Sequence, residues 1–527
     1  MSTLADTAKP VIELLDKSPV HLTKLLQLVE GRSYAVVSLW AKRTSTQGLD
    51  DRTGKTVVYE SPKEEEVRCT FVIRDDGTIY GEGHDMASIE ELGFQLSIKT
   101  MPKEAKLWTT KGVKAYRNGH RPNPKHVFKR LVTLVDRFMS FDCSLADQKT
   151  MCELVALYIL ATWFHDAFDV IGYLWPNGIH GAGKTKLGNL ICAVAYLGEV
   201  LLSGSTFASL RDMSDLGATL LFDDAESFNS ANRIDGEKRS LLLAGNRRGA
   251  TVTVKEQGPD KNWRTRHVNA YCPRLFTAIN WPDPVLASRT IVIPLVRTVD
   301  KQKANSEVLD HSQWPCDQRE LLDDLWSLSL ANLPAMPDQD KAVAADAPLI
   351  GRALEPWRAM LAVAHWLDGL GEDGLYERMC NLAKSYQTER ADLETVDQTK
   401  LVVRALIELL APGAPLAPLA PLYVETSQVS DRVNKLILEE ELATFASVNT
   451  VGKTLRMLRL EKAPKSSGQK RRWKTTPAQL DSIARTNGFK PILPDAPVKA
   501  IDDTLSCETG QMGQTGHLRS VPEVVEV

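Results

Sequence analysis

Between about residues 124 and 300, the apolar positions follow two spacings in turn, one typical of helices and one typical of buried strands. Two helical patterns, near 124–140 and 146–165, come first. They lead into a series in which apolar strands alternate with helices. Because strands joined through helices pair in parallel, residues 123–300 are predicted to form an α/β core, a parallel sheet flanked by helices.

The first 122 residues have a different pattern. Short β-like runs at Ser33–Trp40, Val67–Arg74 and Thr78–Tyr80 are separated by turn signals such as Asp75-Asp76-Gly77. No group of residues here has a spacing that indicates a particular chemistry. We expect a small β-rich or α+β module over residues 1–122.

After residue 300 the pattern is mostly helical. Helical spacing is clear at Arg319–Asn332 and Leu354–Leu367, and we assign residues 301–394 to one helical region. A Pro/Ala stretch, Ala411–Leu422, then interrupts a second helical region over residues 395–487. Residues 488–527 show no periodicity and are predicted to be a disordered tail.

The composition is that of a globular protein without a membrane span. The 527 residues are 43% hydrophobic and 25% charged, with a formal net charge of -3. No apolar run reaches the roughly 18–20 residues that a span needs, and the N-terminus lacks the pattern of a signal peptide. Eight scattered cysteines without a CxxC pair argue against a structural zinc or a disulfide framework, so we expect a reducing cytoplasm.

The most specific motif lies at the start of the α/β core. It matches G-x-x-x-x-G-K-[ST] in full, after the apolar run Ile171–Trp175 and before a predicted helix at Lys186–Leu197. Its residues are Gly178, Ile179, His180, Gly181, Ala182, Gly183, Lys184 and Thr185. Such a loop holds the phosphates of ATP on backbone N–H groups and on the positive end of the helix. In this motif Lys184 reaches the β/γ-phosphates and Thr185 ligates Mg²⁺.

Acidic residues follow the next apolar strand, Thr219–Phe222. In a P-loop sheet, the first acid after such a strand holds Mg²⁺ and the next polarises the attacking water. Asp223 fits the first role. Asp224 stands where glutamate is commoner, and Glu226 is a nearby alternative, so the identity of the second acid stays open.

Two further polar residues accompany later strands. Asn280 ends the run Arg274–Asn280, where a polar side chain can reach the water near the γ-phosphate. Arg289 enters the run Thr290–Ile293, where an arginine can complete the site of a neighbouring subunit. Asn280 is therefore a candidate sensor, and Arg289 a candidate arginine finger that would require a ring of subunits.

The order of these motifs resembles that of an AAA+ ATPase. More narrowly, residues 156–298 resemble the helicase-like ATPases of phages, plasmids and mobile elements, which are relatives of the minichromosome-maintenance and superfamily 3 helicases. Leu242–Gly249 and Leu286–Ile293 are similar to segments of that family, and Gly351–Trp357 resembles the start of its lid helix. The resemblance implies a helical lid over residues 301–394, Arg352 as a second sensor with Arg358 as a rival, and a hexamer.

A predicted β-hairpin at Ala250–Val268 is the first candidate DNA contact. Its two extended runs flank the turn Gly258-Pro259, and its tip has the basic and aromatic residues Lys255, Lys261, Trp263 and Arg264. Lysines suit phosphate and an aromatic ring suits a base. In the related helicases, a hairpin at this place projects into the central pore and grips the nucleic-acid backbone.

The second candidate DNA contact lies in residues 395–487, where three predicted helices and a basic segment resemble a winged helix. From Lys453 to Lys490 there are eleven Lys/Arg against two acids. The third helix would place Lys453, Arg456 and Arg459 in a groove, and the wing would place Lys470, Arg471 and Arg472 on phosphates. Winged helices also bind proteins, and this alternative stays open.

The sequence therefore indicates an ATP- and Mg²⁺-dependent DNA helicase or translocase of mobile-element replication that works as a ring. The expected fold is an AAA+-like P-loop core with an N-terminal α+β module, a helical lid and a C-terminal winged helix. Two alternatives remain. One is an ATP-dependent initiator or regulator that binds duplex DNA and remodels a partner without unwinding. The other is a defence-system ATPase, for which the chain shows no effector motif.

Overall fold

A computed structural model describes most of the chain as two compact units. The described residues are 20–49, 52–83, 86–89, 95–98, 100–201, 205–223, 225, 236–257, 261–279, 281–393, 398–411, 417, 419–439, 446–464 and 472–493. The units are Met1–Glu389 and Arg390–Val527. Each has its own hydrophobic core, one extending from Leu22 to Tyr386 and the other from Leu401 to Leu480.

The N-terminal region forms a four-stranded antiparallel sheet in the order β2-β3-β4-β5. Its strands are β2 (Leu26–Val29), β3 (Arg32–Leu49), β4 (Thr56–Arg74) and β5 (Ile79–Tyr80), while β1 (His21–Leu22) pairs in parallel with β6 (Gln95–Leu96). The predicted runs at 33–40 and 67–74 are only the buried ends of β3 and β4. Both strands continue as an exposed ribbon whose charged residues pair across it, as in Lys42–Glu64 at 2.7 Å. The extension was missed because a ribbon exposed on both faces has no apolar alternation.

A buried ion pair joins this sheet to the rest of the first unit. The ammonium of Lys24 lies 2.7 Å from Asp166, whose other oxygen accepts the backbone N–H of Leu28 at 2.8 Å. Burial raises the pKa of Asp166, but the charge of Lys24 and the hydrogen bonds from Lys24 and Leu28 act together against it, and the pKa is lowered. Burial, with the nearby Lys24, lowers the pKa of His165 to about 3. His165 is therefore neutral at pH 7 and packs as part of the core.

Three helices lead from the N-terminal sheet to the central one, α1 (Thr110–Arg117), α2 (Pro124–Phe138) and α3 (Gln148–Trp163). Side chains of Thr109, Asn123 and Asp147 cap them. The last two helices confirm the patterns near 124–140 and 146–165. The side chains of α3 are almost all buried, so this helix passes through the core.

The central sheet has five parallel strands in the order β13-β7-β12-β9-β8, as the alternating pattern predicts. The strands are β7 (Tyr173–Asn177), β8 (Glu199–Leu201), β9 (Leu220–Phe222), β12 (Arg274–Phe276) and β13 (Thr290–Pro294). Their near-continuous apolar runs suit strands that helices cover on both faces. Helix α4 (Lys184–Val194) connects β7 to β8, and helix α5 (Phe207–Asp215) connects β8 to β9.

A hairpin and several helices complete the first unit. After α6 (Gly236–Ala244) comes the hairpin β10 (Thr251–Gln257) and β11 (Trp263–Asn269). The later helices are α7 (Pro284–Ala287), α8 (Lys301–Ala304), α9 (Gln318–Asn332), α10 (Met336–Asp346), α11 (Arg358–Gly369) and α12 (Leu375–Leu393). The predicted helix at 354–367 begins only at Arg358, because Pro356 disfavours the helical conformation of the residue before it. No helix in the described ranges is long and apolar enough to cross a membrane.

The second unit combines four helices with a small sheet. The helices are α13 (Gln398–Leu410), α14 (Thr426–Glu439), α15 (Val448–Met457) and α16 (Pro477–Thr486), close to the predicted bounds. The strands are β14 (Leu422–Glu425), β15 (Glu461–Lys462) and β16 (Arg472–Thr475), antiparallel in the order β14-β16-β15. The buried Trp473 of β16 donates to Thr426 at 2.9 Å and so ties the sheet to α14.

Candidate functional site

The predicted phosphate loop connects strand β7, which lies between β13 and β12, to helix α4. The strand ends at Asn177, and the helix begins at Lys184 with Gly183 as its N-cap. Gly181 and Gly183 have φ values of 79° and 90°, the left-handed region that favours glycine. The chain therefore turns sharply from strand to helix, as the motif requires, and a helix of eleven residues begins directly at the loop.

The lysine and threonine of the motif point in different directions from the start of α4. The ammonium of Lys184 donates to the backbone oxygens of Gly178, at 2.9 Å, and Ile179, at 3.1 Å. The hydroxyl of Thr185 donates to Asp223 at 2.9 Å. Lys184 thus lies over the loop, where phosphate would bind, while Thr185 faces the acid that follows β9.

Asp223 is the acid that the structure brings to the loop. Besides Thr185, it accepts a hydrogen bond of 2.5 Å from Thr277, which follows β12. In the sheet, β12 lies between β7 and β9. Thr277 follows β12, Asp223 follows β9, and Thr185 ends the loop that follows β7. The three residues therefore come together from three neighbouring parallel strands. Their oxygens are the hard ligands that Mg²⁺ prefers, so Thr185 and Asp223 fit the metal expected here.

Thr277 was missed in the sequence, although it lies three residues before Asn280. Its hydroxyl gave no signal of its own, because threonine is an ordinary residue at the end of a strand. Asn280 itself, Asp224 and Glu226 lie outside the described residues. The candidate sensor and the acid that polarises water therefore stay predictions.

A cavity of about 750 Å³ opens beside the loop. Its walls come from segments 138–140, 180–186, 296–298 and 303–304, together with Ile279. This volume is in the range of small-molecule pockets. The residues of the loop line this cavity together with the apolar side chains of Phe138, Met139 and Val296.

Contacts between residues far apart in the chain hold the other walls of the cavity in place. Ser140 and Thr298 are joined by their hydroxyls at 3.0 Å, and Lys303 donates to the backbone oxygen of Met139 at 2.8 Å. Arg297 donates to the backbone oxygen of His180 in the loop at 2.6 Å. These residues were not singled out in the sequence, because only the fold brings α2, α8 and the segment after β13 to one cavity.

Arg289 lies at the opposite edge of the sheet from the phosphate loop. It directly precedes β13, whose first residue, Thr290, pairs with Tyr173 at the start of β7. The loop follows the other end of β7, about 20 Å away at roughly 3.3 Å per residue. Arg289 therefore does not reach the cavity of its own chain, and its guanidinium donates to the backbone oxygen of Val285 at 2.7 Å.

Arg352 lies at the same edge of the sheet as Arg289. The backbone of Pro356 packs so closely on Gly172 that a Cβ there would lie 2.1 Å from the Pro356 oxygen. Gly172 immediately precedes β7, so the segment with Arg352 also sits at the edge remote from the loop. The rival Arg358 makes two hydrogen bonds, of 2.7 and 2.6 Å, to the buried carboxylate of Asp340.

The hairpin β10–β11 has the register of a regular antiparallel ribbon, from Thr251 opposite Asn269 to Gln257 opposite Trp263. Residues 258–260 of its turn are outside the described ranges. At the described end, Lys255, Lys261 and Arg264 are exposed and Trp263 is 67% exposed. At the root, Arg266 forms an ion pair with Asp215. The structure therefore gathers all four predicted contact residues at the free end of a fixed hairpin.

The second unit exposes the basic residues predicted for its third helix, although only two of them lie on that helix. Lys453 and Arg456 are on α15, and Arg459 follows its end at Met457 with a left-handed φ of 60°. All three are exposed, while Val451 and Leu455 of α15 are buried. Arg472, which begins β16, lies over the ring of Tyr423 at 5.9 Å. Lys470 and Arg471 are outside the described residues.

Taken together, the parallel sheet and the loop that turns from its inner strand β7 into a helix define the class, a P-loop nucleoside triphosphatase fold. No protein-family model matches the chain, and no curated protein matches it. Similar solved structures include the C-terminal region of NrS-1, at 11% identity and a TM-score of 0.29 over 73% of this chain and 80% of that one.

Two other similar structures are JCV helicase with a small-molecule ligand and Drosophila ORC bound to DNA. JCV helicase matches at 15% identity and a TM-score of 0.23, over 55% of this chain and 66% of that one, just under two thirds of its length. Drosophila ORC matches at 12% identity and a TM-score of 0.17, over 69% of this chain and 92% of that one. With TM-scores this low, none of the three says what this chain does.

Proposed function

We propose that this chain is an ATP-hydrolysing, ring-forming DNA helicase or translocase, with a role in replication of a phage or mobile element. The observation that supports it best is the convergence of Thr185, Asp223 and Thr277 beside the phosphate loop. A loop that only binds phosphate does not need an acid at this position. An acid held at the threonine of the loop is what hydrolysis of a Mg²⁺-bound nucleotide requires.

In this proposal ATP lies in the cavity with its phosphates on the loop. Backbone N–H groups of residues 178–185 and the start of α4 bind the phosphate oxygens. Lys184 leaves the carbonyls of Gly178 and Ile179 for the β/γ-phosphates, and Phe138 and Met139 pack on the nucleoside. Thr185 and Asp223 would hold Mg²⁺, which neutralises charge on the phosphates.

Hydrolysis requires water to attack the γ-phosphorus as ADP leaves, and an acid to orient that water. Asp224 and Glu226 are the two candidates, and Asn280 is the proposed sensor of the γ-phosphate. Because Arg289 and Arg352 lie at the remote edge of the sheet, they would act on ATP bound to a neighbouring subunit. An arginine that stabilises transition-state charge in this way is a strong contributor to phosphoryl transfer.

The work of hydrolysis would be applied to DNA at the hairpin β10–β11. Lys255, Lys261 and Arg264 suit phosphates, and the exposed Trp263 suits stacking on a base. The second unit, with α15 in a groove and the strand β16 as part of a wing, would bind duplex DNA. Its helices α13, α14 and α15 and its three-stranded sheet support the winged-helix interpretation.

Strand displacement on a forked DNA substrate tests the proposal. We expect unwinding with ATP and none with a non-hydrolysable analogue. The variant Lys184→Ala should lose both ATPase activity and unwinding, because it lacks the charge that holds the β/γ-phosphates. ATPase activity without strand displacement on any fork would contradict the helicase proposal and favour an initiator or regulator that remodels a partner. No ATPase activity at all would contradict both.

A further inference from the structure

A stretch between the N-terminal sheet and the central sheet has an unusual charge. The stretch from Ala105 to Val135 contains no Asp or Glu, although the whole chain has a formal net charge of -3. The same stretch has eight basic residues, Lys106, Lys111, Lys114, Arg117, Arg121, Lys125, Lys129 and Arg130. Which of these charges are available to a partner depends on what each basic side chain contacts in the structure.

The two helices of this stretch turn their basic residues outward. On α1, Lys111, Lys114 and Arg117 are exposed while Val113 and Tyr116 are buried. The first turns of α2 hold the partly exposed Lys125 and the exposed Lys129 opposite buried apolar residues. The basic side chains therefore face solvent on both helices.

Neighbouring residues of α9 bind both helices. Asp323 accepts the backbone N–H of Thr109, the N-cap of α1, at 3.0 Å. The next residue, Asp324, accepts from Arg130 of α2 at 2.5 Å and lies 3.2 Å from His120 in the connecting loop. Helix α1, the connecting loop and α2 are thus all attached to the same part of α9.

Several of the charges are already used inside the protein. Lys129 pairs with Glu372 at 2.7 Å, and Lys106 donates to the backbone oxygen of Cys192 at 2.6 Å. Arg121 lies over the ring of Tyr116 at 3.5 Å. Lys111 lines a cavity that also has the acids Asp317 and Glu320.

Three cations lie outside these contacts and outside that cavity, Lys114, Arg117 and Lys125. Within the described part of the chain, none of them has a carboxylate within ion-pair distance or a side-chain hydrogen bond. We call these three residues the α1–α2 basic patch. No large apolar side chain is exposed anywhere between Lys103 and Asn177, so the patch is not part of an apolar docking surface.

We propose that the α1–α2 basic patch binds the phosphate backbone of nucleic acid, as a third contact separate from the hairpin and from the second unit. The charge of the three residues matches phosphate, and contacts to phosphate hold nucleic acid without reading its bases. Binding would therefore be independent of sequence and sensitive to salt. The inference rests on the proposed function, because it requires that the chain works on nucleic acid.

The patch is remote from the nucleotide cavity along α2. Lys125 begins that helix and Phe138, which lines the cavity, ends it, about 20 Å apart at 1.5 Å per residue. Neutralising the patch should therefore leave hydrolysis without DNA unchanged. This separation makes its role in binding measurable by itself.

The test uses the full chain with all three residues changed, Lys114→Gln, Arg117→Gln and Lys125→Gln. Binding to a fluorescent duplex and to a fluorescent single strand is measured at several salt concentrations. We expect weaker binding and a shallower dependence of log K on log salt. The slope should fall by about two to three for the duplex, since each phosphate contact contributes about 0.9, and by somewhat less for the single strand.

A matched variant controls for the loss of three charges. Lys55, Lys63 and Lys384 are exposed residues elsewhere in the chain, and changing them to Gln removes the same charge. Its salt slope should stay near that of the unchanged protein. An equal fall in both triple variants would overturn the proposal, since it would reflect net charge alone.

Failure of this inference can be told from failure of the proposed function. If the unchanged protein binds neither probe, the proposed DNA function itself fails. If it binds, and the hairpin variant Lys255→Ala/Lys261→Ala binds less while the patch variant keeps its full affinity and salt slope, only the patch proposal is wrong. Unchanged ATPase activity without DNA in the patch variant excludes a folding defect as the cause of a loss.

Discussion

Two hydroxyl groups and one carboxylate decide what the phosphate loop can do. Thr185 and Thr277 both donate to Asp223, so the carboxylate is held from two sides before any metal arrives. A carboxylate oriented in this way loses little freedom when it binds Mg²⁺, and groups that hydrogen-bond to a metal's ligands tune the metal site. The role of Thr277 is positional, since it acts through Asp223.

Replacing Thr277 tests this role. The variant Thr277→Val keeps the shape of the side chain but loses the hydroxyl, and a hydrogen bond to a charged group contributes about 1.5–3 kcal/mol. We expect ATPase activity to fall about tenfold or more and the Mg²⁺ concentration needed for half activity to rise. Thr277→Ser retains the hydroxyl and should stay near the unchanged protein. An unaltered Mg²⁺ requirement in the valine variant would contradict the positioning role.

At the scale of elements, the hairpin β10–β11 is joined to the sheet through its root. Arg266 pairs with Asp215 at the end of α5, and Asn269 donates its backbone N–H to the same carboxylate at 2.9 Å. The buried Arg274, which begins β12, donates to Ala270 at 2.7 Å and to Tyr173 of β7 at 3.1 Å. The root is therefore in contact with the strands that lead to the nucleotide site, while the basic residues at the other end are exposed.

Changing the end of the hairpin should separate hydrolysis from its stimulation by DNA. We expect the double variant Lys255→Ala/Lys261→Ala to keep basal ATPase activity, because neither residue is near the cavity. Stimulation by single-stranded DNA and strand displacement should be lost, since the phosphate contacts are gone. Normal unwinding by the double variant would show that the hairpin does not grip DNA.

At the scale of the whole molecule, the positions of Arg289 and Arg352 bear on assembly. Both lie at the sheet edge remote from the loop, so a site built from one chain has neither arginine. A head-to-tail interface that repeats around a ring would bring them to the next subunit's loop. The hexamer itself stays a prediction from the family resemblance.

Mixing two inactive variants tests the shared site. Lys184→Ala lacks the phosphate lysine and Arg289→Ala lacks the finger, and each should be inactive alone. When both are co-expressed, about one interface in four combines an intact loop with an intact finger if subunits assemble at random. We expect ATPase activity to reappear in the mixture. Activity that stays at the level of the separate variants would place Arg289 outside the neighbouring site.

The hairpin and the elements around the phosphate loop could be read from the sequence because their signals are local. Alternating apolar spacing gave the order of strands and helices in the core, and the glycines and lysine of the loop have a mechanism that depends on neighbouring residues alone. The predicted lengths of β3 and β4 and the predicted start of α11 were wrong. The ribbon of β3 and β4 lacks apolar alternation, and Pro356 moves the start of α11 to a later residue.

The sequence by itself determined that this chain has a phosphate loop in a parallel α/β core. It also indicated a hairpin with basic and aromatic residues and a basic helix near the C-terminus. Only the tertiary structure decided that Thr277 holds Asp223, that α2 and α8 wall the cavity, and that Arg289 faces away from it. It also decided which cations of the α1–α2 stretch stay unpaired. The reason is physical: a local pattern sets backbone conformation, whereas these contacts join residues far apart in the chain and depend on how strands and helices pack.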